Sequence, residues 1–146
     1  MKNEVLAILL PLIKESEGCV LKSYQDCGKG VWTIGYGHTG AEVCKGLTWT
    51  QANADEHLLA RATEALTQLL DASPTLTGET PERIAALADF VYNLGIGNYN
   101  KSSLKMRVSQ SNWKAAQVEI KKWNKAGGKV LPGLVIRRQK EADLLA

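Results

Sequence analysis

The sequence has few of the residues that metal centres and activated nucleophiles require. It contains two histidines, His38 and His57, and its three cysteines do not form the close pairs that a zinc site needs. It has no Gly-x-Ser-x-Gly nucleophile elbow and no Gly-rich phosphate loop of the Walker type. Serine hydrolases, zinc enzymes and nucleotide-binding enzymes are therefore disfavoured, and we expect neither a metal nor a cofactor.

The cysteines are odd in number. Cys19, Cys27 and Cys44 are best interpreted as reduced thiols in a protein made in the cytoplasm. A disulfide between Cys27 and Cys44 is the alternative if both lie near the base of one hairpin, and the sequence leaves it open.

The sequence also lacks a long apolar run. The longest candidate, residues 5–13, has nine residues and is interrupted by Pro11, whereas a membrane span takes about twenty. No small-residue cleavage site follows it. We therefore expect a first helix that packs its apolar face on the core, and neither a signal peptide nor a transmembrane segment.

Charge is unevenly distributed along the chain. Residues 1–100 carry 7 basic and 12 acidic side chains, a net charge of −5, whereas residues 101–146 carry 11 basic and 3 acidic side chains, a net charge of +8. A basic C-terminal lobe predicts attraction to a polyanion such as nucleic acid, anionic lipid or cell wall. Lysines on solvated helix faces are the alternative explanation.

Hydrophobic spacing predicts one helix, a small β element and then several helices. Residues 4–17 read as a helix that ends before Gly18, and glycines among Val, Trp, Thr and Tyr over 19–39 predict a hairpin or meander. Another short strand is expected near 41–47. The helices that follow are expected over 48–71, with a capping box from Thr48 to Gln51, from Thr80 to Gly95, over 102–110, over 112–125 and from Leu134 towards Leu145.

This order predicts an α+β fold in a single domain spanning 1–146. A β lobe of about 18–47 would be followed by a mainly helical lobe formed by 1–17 and 48–146, with a cleft between them for an extended substrate.

Two carboxylates near the β element could act together. Glu17 lies at the end of the first helix, where the negative end of the helix dipole disfavours an ionised carboxyl, and Asp26 follows in the Gly-rich segment. Glycoside hydrolysis needs such a pair, one protonated and one ionised. Glu15 is the rival acid, and two solvated surface carboxylates are the simpler interpretation of the pair taken alone.

The surrounding residues resemble the phage-type lysozymes, the muramidase endolysins of T-even and lambdoid phages. That family has a Glu at the end of the first helix, an Asp nine residues on and a Thr six beyond it in a Thr-Ile-Gly-x-Gly-His string. The matching segments here are Glu17-Gly18, Lys22-Ser23-Tyr24-Gln25-Asp26 and Trp32-Thr33-Ile34-Gly35-Tyr36-Gly37-His38-Thr39.

One spacing departs from the family pattern. Thr33 lies seven residues after Asp26, so one residue has been added to the turn over 27–30. In an alternative alignment Cys27 takes the Asp position, as in some family members. We favour Asp26, because a turn accepts an extra residue more easily than a strand does and because Asp26 supplies the carboxylate directly.

The resemblance covers roughly residues 10–145 and implies a lysozyme-like fold. The later segments are Tyr92-Asn93-Leu94-Gly95, Ser102-Ser103-Leu104 and Gly133-Leu134-Val135-Ile136-Arg137-Arg138-Gln139-Lys140-Glu141.

The resemblance also implies roles for individual residues. Glu17 is the general acid, Asp26 is the base or electrostatic partner that holds a water on the opposite face of the sugar, and Thr33 positions that water in an inverting reaction. Tyr92 and Asn93 face the substrate cleft, with a core position as the alternative for Tyr92. Trp32 is also expected to contact substrate, because it lies beside Thr33.

Three further residues support the site in this interpretation. His38 ties the β element to the helices by a hydrogen bond, and Arg137 or Arg138 contacts Glu17, with two surface arginines as the alternative. The tryptophans Trp49, Trp113 and Trp123 are expected in cores.

The implied function is hydrolysis of the β-1,4 bond between N-acetylmuramic acid and N-acetylglucosamine in peptidoglycan, for host lysis by a phage or prophage. A monomer is expected to accumulate in the host cytoplasm and to be released through a separate membrane-hole-forming protein. Its basic lobe would contact the anionic cell envelope, with no nucleic acid as partner. The alternatives are a non-catalytic lysozyme-like protein that binds peptidoglycan or a polyanion, and a glycosidase acting on chitin-like polymers.

Overall fold

The computed structural model of the chain describes residues 1–25 and 30–146. Its helices and strands, in chain order, are α1 (Lys2–Glu17), β1 (Val20–Gln25), β2 (Trp32–Gly35), α2 (Gln51–Ala72), a 3₁₀ helix (Pro74–Gly78), α3 (Pro81–Leu94), α4 (Ile96–Asn100), α5 (Ser103–Ser109), α6 (Trp113–Lys121), β3 (Lys125–Ala126), β4 (Lys129–Val130) and α7 (Pro132–Leu145). The mixed helical fold with a small antiparallel hairpin confirms the predicted α+β class. Across these described residues, every helix is too short or too polar to cross a membrane.

The chain forms two compact units. The hairpin unit comprises Leu10–Arg61, and the helical unit comprises Met1–Leu9 together with Ala62–Ala146. The boundaries fall inside α1 and α2, so the hairpin unit contains the second half of α1 and the first half of α2 as well as the strands.

The hairpin of β1 and β2 is antiparallel. Tyr24 pairs with Thr33 and Gln25 with Trp32, and the register is irregular between Tyr24 and Val20. This pairing places the backbone of β2 so that Thr33 is buried. The prediction of a β element within 19–39 is confirmed.

The prediction of a strand near 41–47 is wrong, because this segment forms turns. Gly46 has φ +85, a left-handed conformation that favours glycine, and it interrupts any extended run. The segment is fixed to β1 by hydrogen bonds instead. Ser23 N donates to Leu47 O at 2.9 Å, and Ser23 Oγ donates to Cys44 O at 2.7 Å.

The start of α2 also differs from the prediction. Thr50 and Asn53 form the reciprocal cap, with Asn53 N donating to Thr50 Oγ1 and Thr50 N donating to Asn53 Oδ1, both at 3.1 Å. Gln51 is turned away from Thr48: its Nε2 donates to the Tyr36 hydroxyl and to Asp55, and its Oε1, the atom that a capping box would use, accepts from Cys19 Sγ at 3.9 Å. The sequence pattern therefore identified the helix and misplaced its cap by two residues.

Helix α3 begins and ends as predicted. Thr80 accepts a hydrogen bond from Arg83 N, Pro81 takes the first helical position, and Gly95 ends the helix with φ +89. Residues 84–92 of this helix are all buried, so α3 is the central element of the helical unit.

The helix expected over 112–125 is shorter, because α6 ends at Lys121. The chain then forms the β3–β4 hairpin, in which Gly127 and Gly128 have φ +58 and +78. Consecutive left-handed residues suit a tight hairpin turn and end any helical pattern.

The three tryptophans expected in cores are only half-buried. Trp49 stacks on His57 with ring centroids 4.2 Å apart, and Trp123 meets the edge of Phe90. The guanidinium of Arg83 lies over the ring of Trp113, 4.5 Å from its centroid. Each tryptophan therefore covers a partner at the margin of a core instead of filling its centre.

Four buried charged side chains join α3 to α7. Arg137 makes two hydrogen bonds to Asp89, at 2.9 and 2.8 Å. Arg138 donates to Glu141 and to Asn93 Oδ1, both at 2.9 Å. Both arginines are almost fully buried, so the alternative of two surface arginines is wrong.

The two carboxyls of this cluster titrate in opposite directions. Burial raises the pKa of Glu141 well above its usual range, and the neighbouring Asp89 raises it further. Burial opposes ionisation of Asp89 as well, but hydrogen bonds from Glu141 and Arg137 outweigh it and lower the pKa of Asp89. The cluster therefore favours ionisation of Asp89 and opposes ionisation of Glu141.

We predict that Asp89→Asn destabilises the chain by about 3–5 kcal/mol, because it leaves the buried Arg137 without its carboxylate. Glu141→Gln should be tolerated near pH 5, since an amide can donate to Asp89 and accept from Arg138. Urea denaturation of both variants measures the two effects.

The pH dependence of the Glu141→Gln variant supplies the control. A raised folded-state pKa means that stability from Glu141 is complete at acid pH and is lost as the pH rises through that pKa. The unfolding free energy of Glu141→Gln relative to wild type should therefore increase with pH. A difference that stays constant from pH 4 to 9 would contradict a raised pKa of Glu141.

Candidate active site

The carboxyl of Glu17 rests against a glycine. Glu17 is the last residue of α1, Gly18 follows it with φ +65, and the Glu17 side chain is half-buried. A Cβ added to Gly37 would overlap Glu17 Oε2 and lie 3.1 Å from its Cδ. Position 37 must therefore lack a side chain for Glu17 to hold this place. The rival acid, Glu15, is exposed.

The residue before Gly37 is anchored to the start of α2. Tyr36 is buried, its hydroxyl donates to Asp55 Oδ1 at 3.3 Å, and it accepts from Gln51 Nε2 at 3.1 Å. Burial raises the pKa of Tyr36, so its hydroxyl keeps its proton as a donor. Gly37 itself is held through its carbonyl, which accepts from Arg61 Nη1 at 3.2 Å.

His38 follows Gly37 and closes this turn. Its backbone pairs with Ile34 in both directions, at 2.9 and 2.8 Å. Its ring lies beside Trp49 and His57, with centroids 5.3 and 5.0 Å away. The contact of His38 with α2 is thus ring packing.

The hydrogen bond of His38 goes to Glu42, not to a helix as predicted. Nε2 lies 2.6 Å from Glu42 Oε1, and Nδ1 is buried with no hydrogen-bond partner among the residues described. Because a buried Nδ1–H would lack an acceptor, the geometry favours the tautomer in which Nε2 carries the proton and donates. This hydrogen bond lowers the pKa of Glu42.

Thr33 lies within β2, and its buried hydroxyl donates to Val31 O at 3.2 Å. The oxygen lone pairs can accept from a further donor, such as a water. Trp32, the preceding residue, is half-buried. Asp26 and its alternative Cys27 lie outside the described residues. Cys44, the proposed disulfide partner of Cys27, is exposed with a free thiol.

The remaining predicted site residues belong to the helical unit. Tyr92 is buried at the end of α3, and the half-buried Asn93 next to it accepts a hydrogen bond from Arg138. Arg137 binds Asp89 through Nε and Nη2. A contact of either arginine with Glu17 stays a prediction.

Sequence reasoning missed the residues that hold the others in place. Gly37, Glu42 and Arg61 in the hairpin unit, and Asp89 in the helical unit, were not identified. Of these four residues, only Gly37 could have been found from the sequence, since a glycine among bulky residues indicates a close approach or a positive φ.

Comparison with known proteins decides the family. The sequence matches the family model described as phage lysozyme over residues 14–141. The chain belongs to the phage lysozyme family. It is 37% identical over 129 residues to the SAR-endolysin of Bacteriophage PS119, covering 88% of this chain and 75% of that protein. It is 36% identical over 140 residues to the endolysin of Acyrthosiphon pisum secondary endosymbiont phage 1, covering 92% of each.

Solved structures show the same fold. The endolysin from Escherichia coli O157:H7 phage FAHEc1 superposes with a TM-score of 0.82 at 30% identity, covering 93% of this chain and 89% of that one. The muramidase domain of SpmX from Asticaccaulis excentricus also gives 0.82, at 28% identity and 94% coverage of both chains. The predicted resemblance and lysozyme-like fold are confirmed. This phage lysozyme is therefore a muramidase glycoside hydrolase that degrades peptidoglycan in host lysis, and the non-catalytic alternative is disfavoured.

We predict that Gly37→Ala slows the clearing of purified peptidoglycan by about tenfold or more, because the new methyl group displaces the Glu17 carboxyl and small misplacements at a reacting centre are costly. Turbidity decay at a temperature below the unfolding transition measures the rate.

Gly46→Ala is the matched control. Gly46 has φ +85, close to the φ +79 of Gly37, and open space lies within 4 Å of its added Cβ. Both variants carry the same left-handed backbone penalty of about 1–2 kcal/mol, and only one of them meets Glu17. Equal activity losses in the two variants would show that the effect is backbone strain and not displacement of the carboxyl.

Proposed function

We propose that the chain hydrolyses the β-1,4 bond between N-acetylmuramic acid and N-acetylglucosamine by an inverting reaction in which Glu17 is the general acid. The observation that carries this proposal is the placement of Glu17, a half-buried carboxyl at the end of α1 that rests on Gly37. A general acid must be held in a fixed position to reach the leaving oxygen of the glycosidic bond. A glycine at the contact lets the carboxyl approach backbone without a side chain between them.

Asp26 completes the reaction in this proposal. Its carboxylate takes a proton from a water, and that water attacks the anomeric carbon from the face opposite the leaving group. We assign to Thr33 the positioning of this water. Its hydroxyl donates to the Val31 carbonyl, and its oxygen lone pairs can accept a hydrogen bond from the water. An inverting pair needs carboxyls about 6.5–9.5 Å apart, so that a water fits between the base and the sugar.

The substrate contacts are assigned to Trp32, Tyr92 and Asn93. The half-buried Trp32 offers an indole face to a sugar ring, and Asn93 offers its amide N–H groups, because its carbonyl oxygen already accepts from Arg138. A contact of Arg137 or Arg138 with Glu17 is part of this proposal. Such a contact would orient the acid.

We further propose that the protein is a monomer that accumulates in the host cytoplasm and reaches the wall through a membrane hole made by a separate protein. Lysis at the normal time in a host that lacks any hole-forming protein would contradict this route.

We predict that wild-type protein releases muramic acid reducing ends from purified peptidoglycan and that Glu17→Gln reduces the rate by about 10²–10⁴-fold, the range for losing a general acid. The substitution keeps the size and hydrogen-bonding shape of the side chain and removes its transferable proton. Mass spectrometry of reduced fragments identifies the bond, and turbidity decay gives the rate.

Glu15→Gln is the control, because Glu15 lies two residues earlier and is exposed; it should retain wild-type activity. At the second position, Asp26→Asn should be inactive and Cys27→Ser active. An α-anomer as the first product, seen by NMR before mutarotation, would support inversion. An active Glu17→Gln variant would remove Glu17 as the acid.

The basic C-terminal lobe is proposed to contact the anionic cell envelope electrostatically. Its support is a group of exposed lysines near the β3–β4 hairpin, namely Lys121, Lys122, Lys125 and Lys129. We predict that reversing the charge of Lys121, Lys122 and Lys125 to Glu weakens binding to lipopolysaccharide vesicles, and that wild-type binding falls with added salt, since exposed charges are screened. Salt-independent binding in a cosedimentation assay would contradict an electrostatic contact.

A further inference from the structure

Three consecutive residues of the hairpin unit are each held by α2. The hydroxyl of Tyr36 binds Gln51 and Asp55 in the first turns of α2. The carbonyl of Gly37 binds Arg61 in the third turn of that helix, and the ring of His38 packs on His57 between them. The middle residue is the one on which the Glu17 carboxyl rests. Helix α2 thus holds the turn on which the Glu17 carboxyl rests.

Of the three residues, Gly37 has the fewest contacts that could hold it in one conformation. It has no side chain to pack, and its φ of +79 is one of many conformations open to glycine. Its neighbours are anchored by a hydroxyl and by a ring. The peptide between Gly37 and His38 is anchored by its N–H, which donates to Ile34 O, and by its carbonyl, which accepts from the side chain of Arg61. A hydrogen bond from a guanidinium is charge-assisted and stronger than a neutral one.

We infer that Arg61 is a positioning residue for the reaction, which acts on Glu17 through the Gly37 peptide. This inference rests on the proposed role of Glu17 as the acid. Without the guanidinium, the Gly37 carbonyl loses its side-chain donor, and the peptide is held through the His38 N–H, which donates to Ile34 O at 2.8 Å. The surface against which the carboxyl rests is then less firmly fixed. The fraction of molecules with Glu17 in its productive position then falls.

The rest of α2 does not depend on Arg61. The helix extends over Gln51–Ala72, and it is packed by buried apolar side chains, namely Leu58, Ala62, Ala65, Leu66 and Leu69. Arg61 is itself half-buried. Removal of the guanidinium should therefore leave the helix folded while it releases Gly37, which separates positioning from a general structural role.

The test is steady-state kinetics of Arg61→Leu on soluble peptidoglycan fragments of defined length, with kcat and KM determined separately. We expect kcat to fall about tenfold or more, with KM and the melting temperature close to wild type. Arg61→Lys should restore part of kcat, because a lysine keeps one charged donor but loses the guanidinium fork. Arg107→Leu, the same substitution at a partly exposed arginine of α5, should leave both constants unchanged.

Three results would overturn the inference. They are an unchanged kcat in Arg61→Leu, a raised KM with unchanged kcat, and equal loss in Arg61→Leu and Arg61→Lys together with a lowered melting temperature. If Arg61→Leu fails to fold by circular dichroism, Arg61→Gln is measured in its place with the same expectation. Glu17→Gln is assayed in parallel: an inactive Glu17→Gln with a fully active Arg61→Leu rejects this inference alone, whereas an active Glu17→Gln rejects the proposed function.

Discussion

The site depends on one close approach, that of the Glu17 carboxyl to the backbone of Gly37. A methyl group at position 37 would occupy the space of a carboxylate oxygen. The two residues come from α1 and from the turn after β2, so this contact fixes the end of the helix relative to the hairpin. Tyr36 and His38 are held on either side by α2, and their anchors give the turn its shape. The side chain that we propose as the general acid is thus placed against a neighbour that has no side chain.

Sequence reasoning recovered the parts of this arrangement that depend on local pattern. Helix α1, the Gly-rich hairpin and the Thr80 cap follow from spacing and capping chemistry, which act over a few residues. Sequence reasoning failed where a residue distant in sequence binds the polar group that a local motif would use. Gln51 has the right type for the predicted cap, but Tyr36 and Asp55 occupy its amide, so the cap forms at Thr50. Likewise, the hydrogen bond of His38 was expected to reach a helix, but Glu42 takes it.

The arginines of α7 illustrate the same limit. Nothing in the order of residues around Arg137 and Arg138 distinguishes a solvated pair from a buried one. Their burial depends on Asp89, which lies 48 residues before Arg137 and on another helix. Such pairing also changes how many of the counted charges are exposed to a partner. Two of the positive charges in the basic C-terminal lobe are enclosed within the helical unit, and the exposed lysines carry its attraction for anions.

The division of the chain into two units has a consequence for the order of events during synthesis. The hairpin unit is continuous in sequence, so all of it has been translated once Arg61 has left the ribosome. The helical unit combines Met1–Leu9 with Ala62–Ala146. Val5 and Leu9, which are fully buried in the folded protein, are translated before residues 62–146, with which they share a compact unit. Contacts so distant in sequence form slowly, so we expect the helical unit to complete its fold after the continuous hairpin unit has been translated.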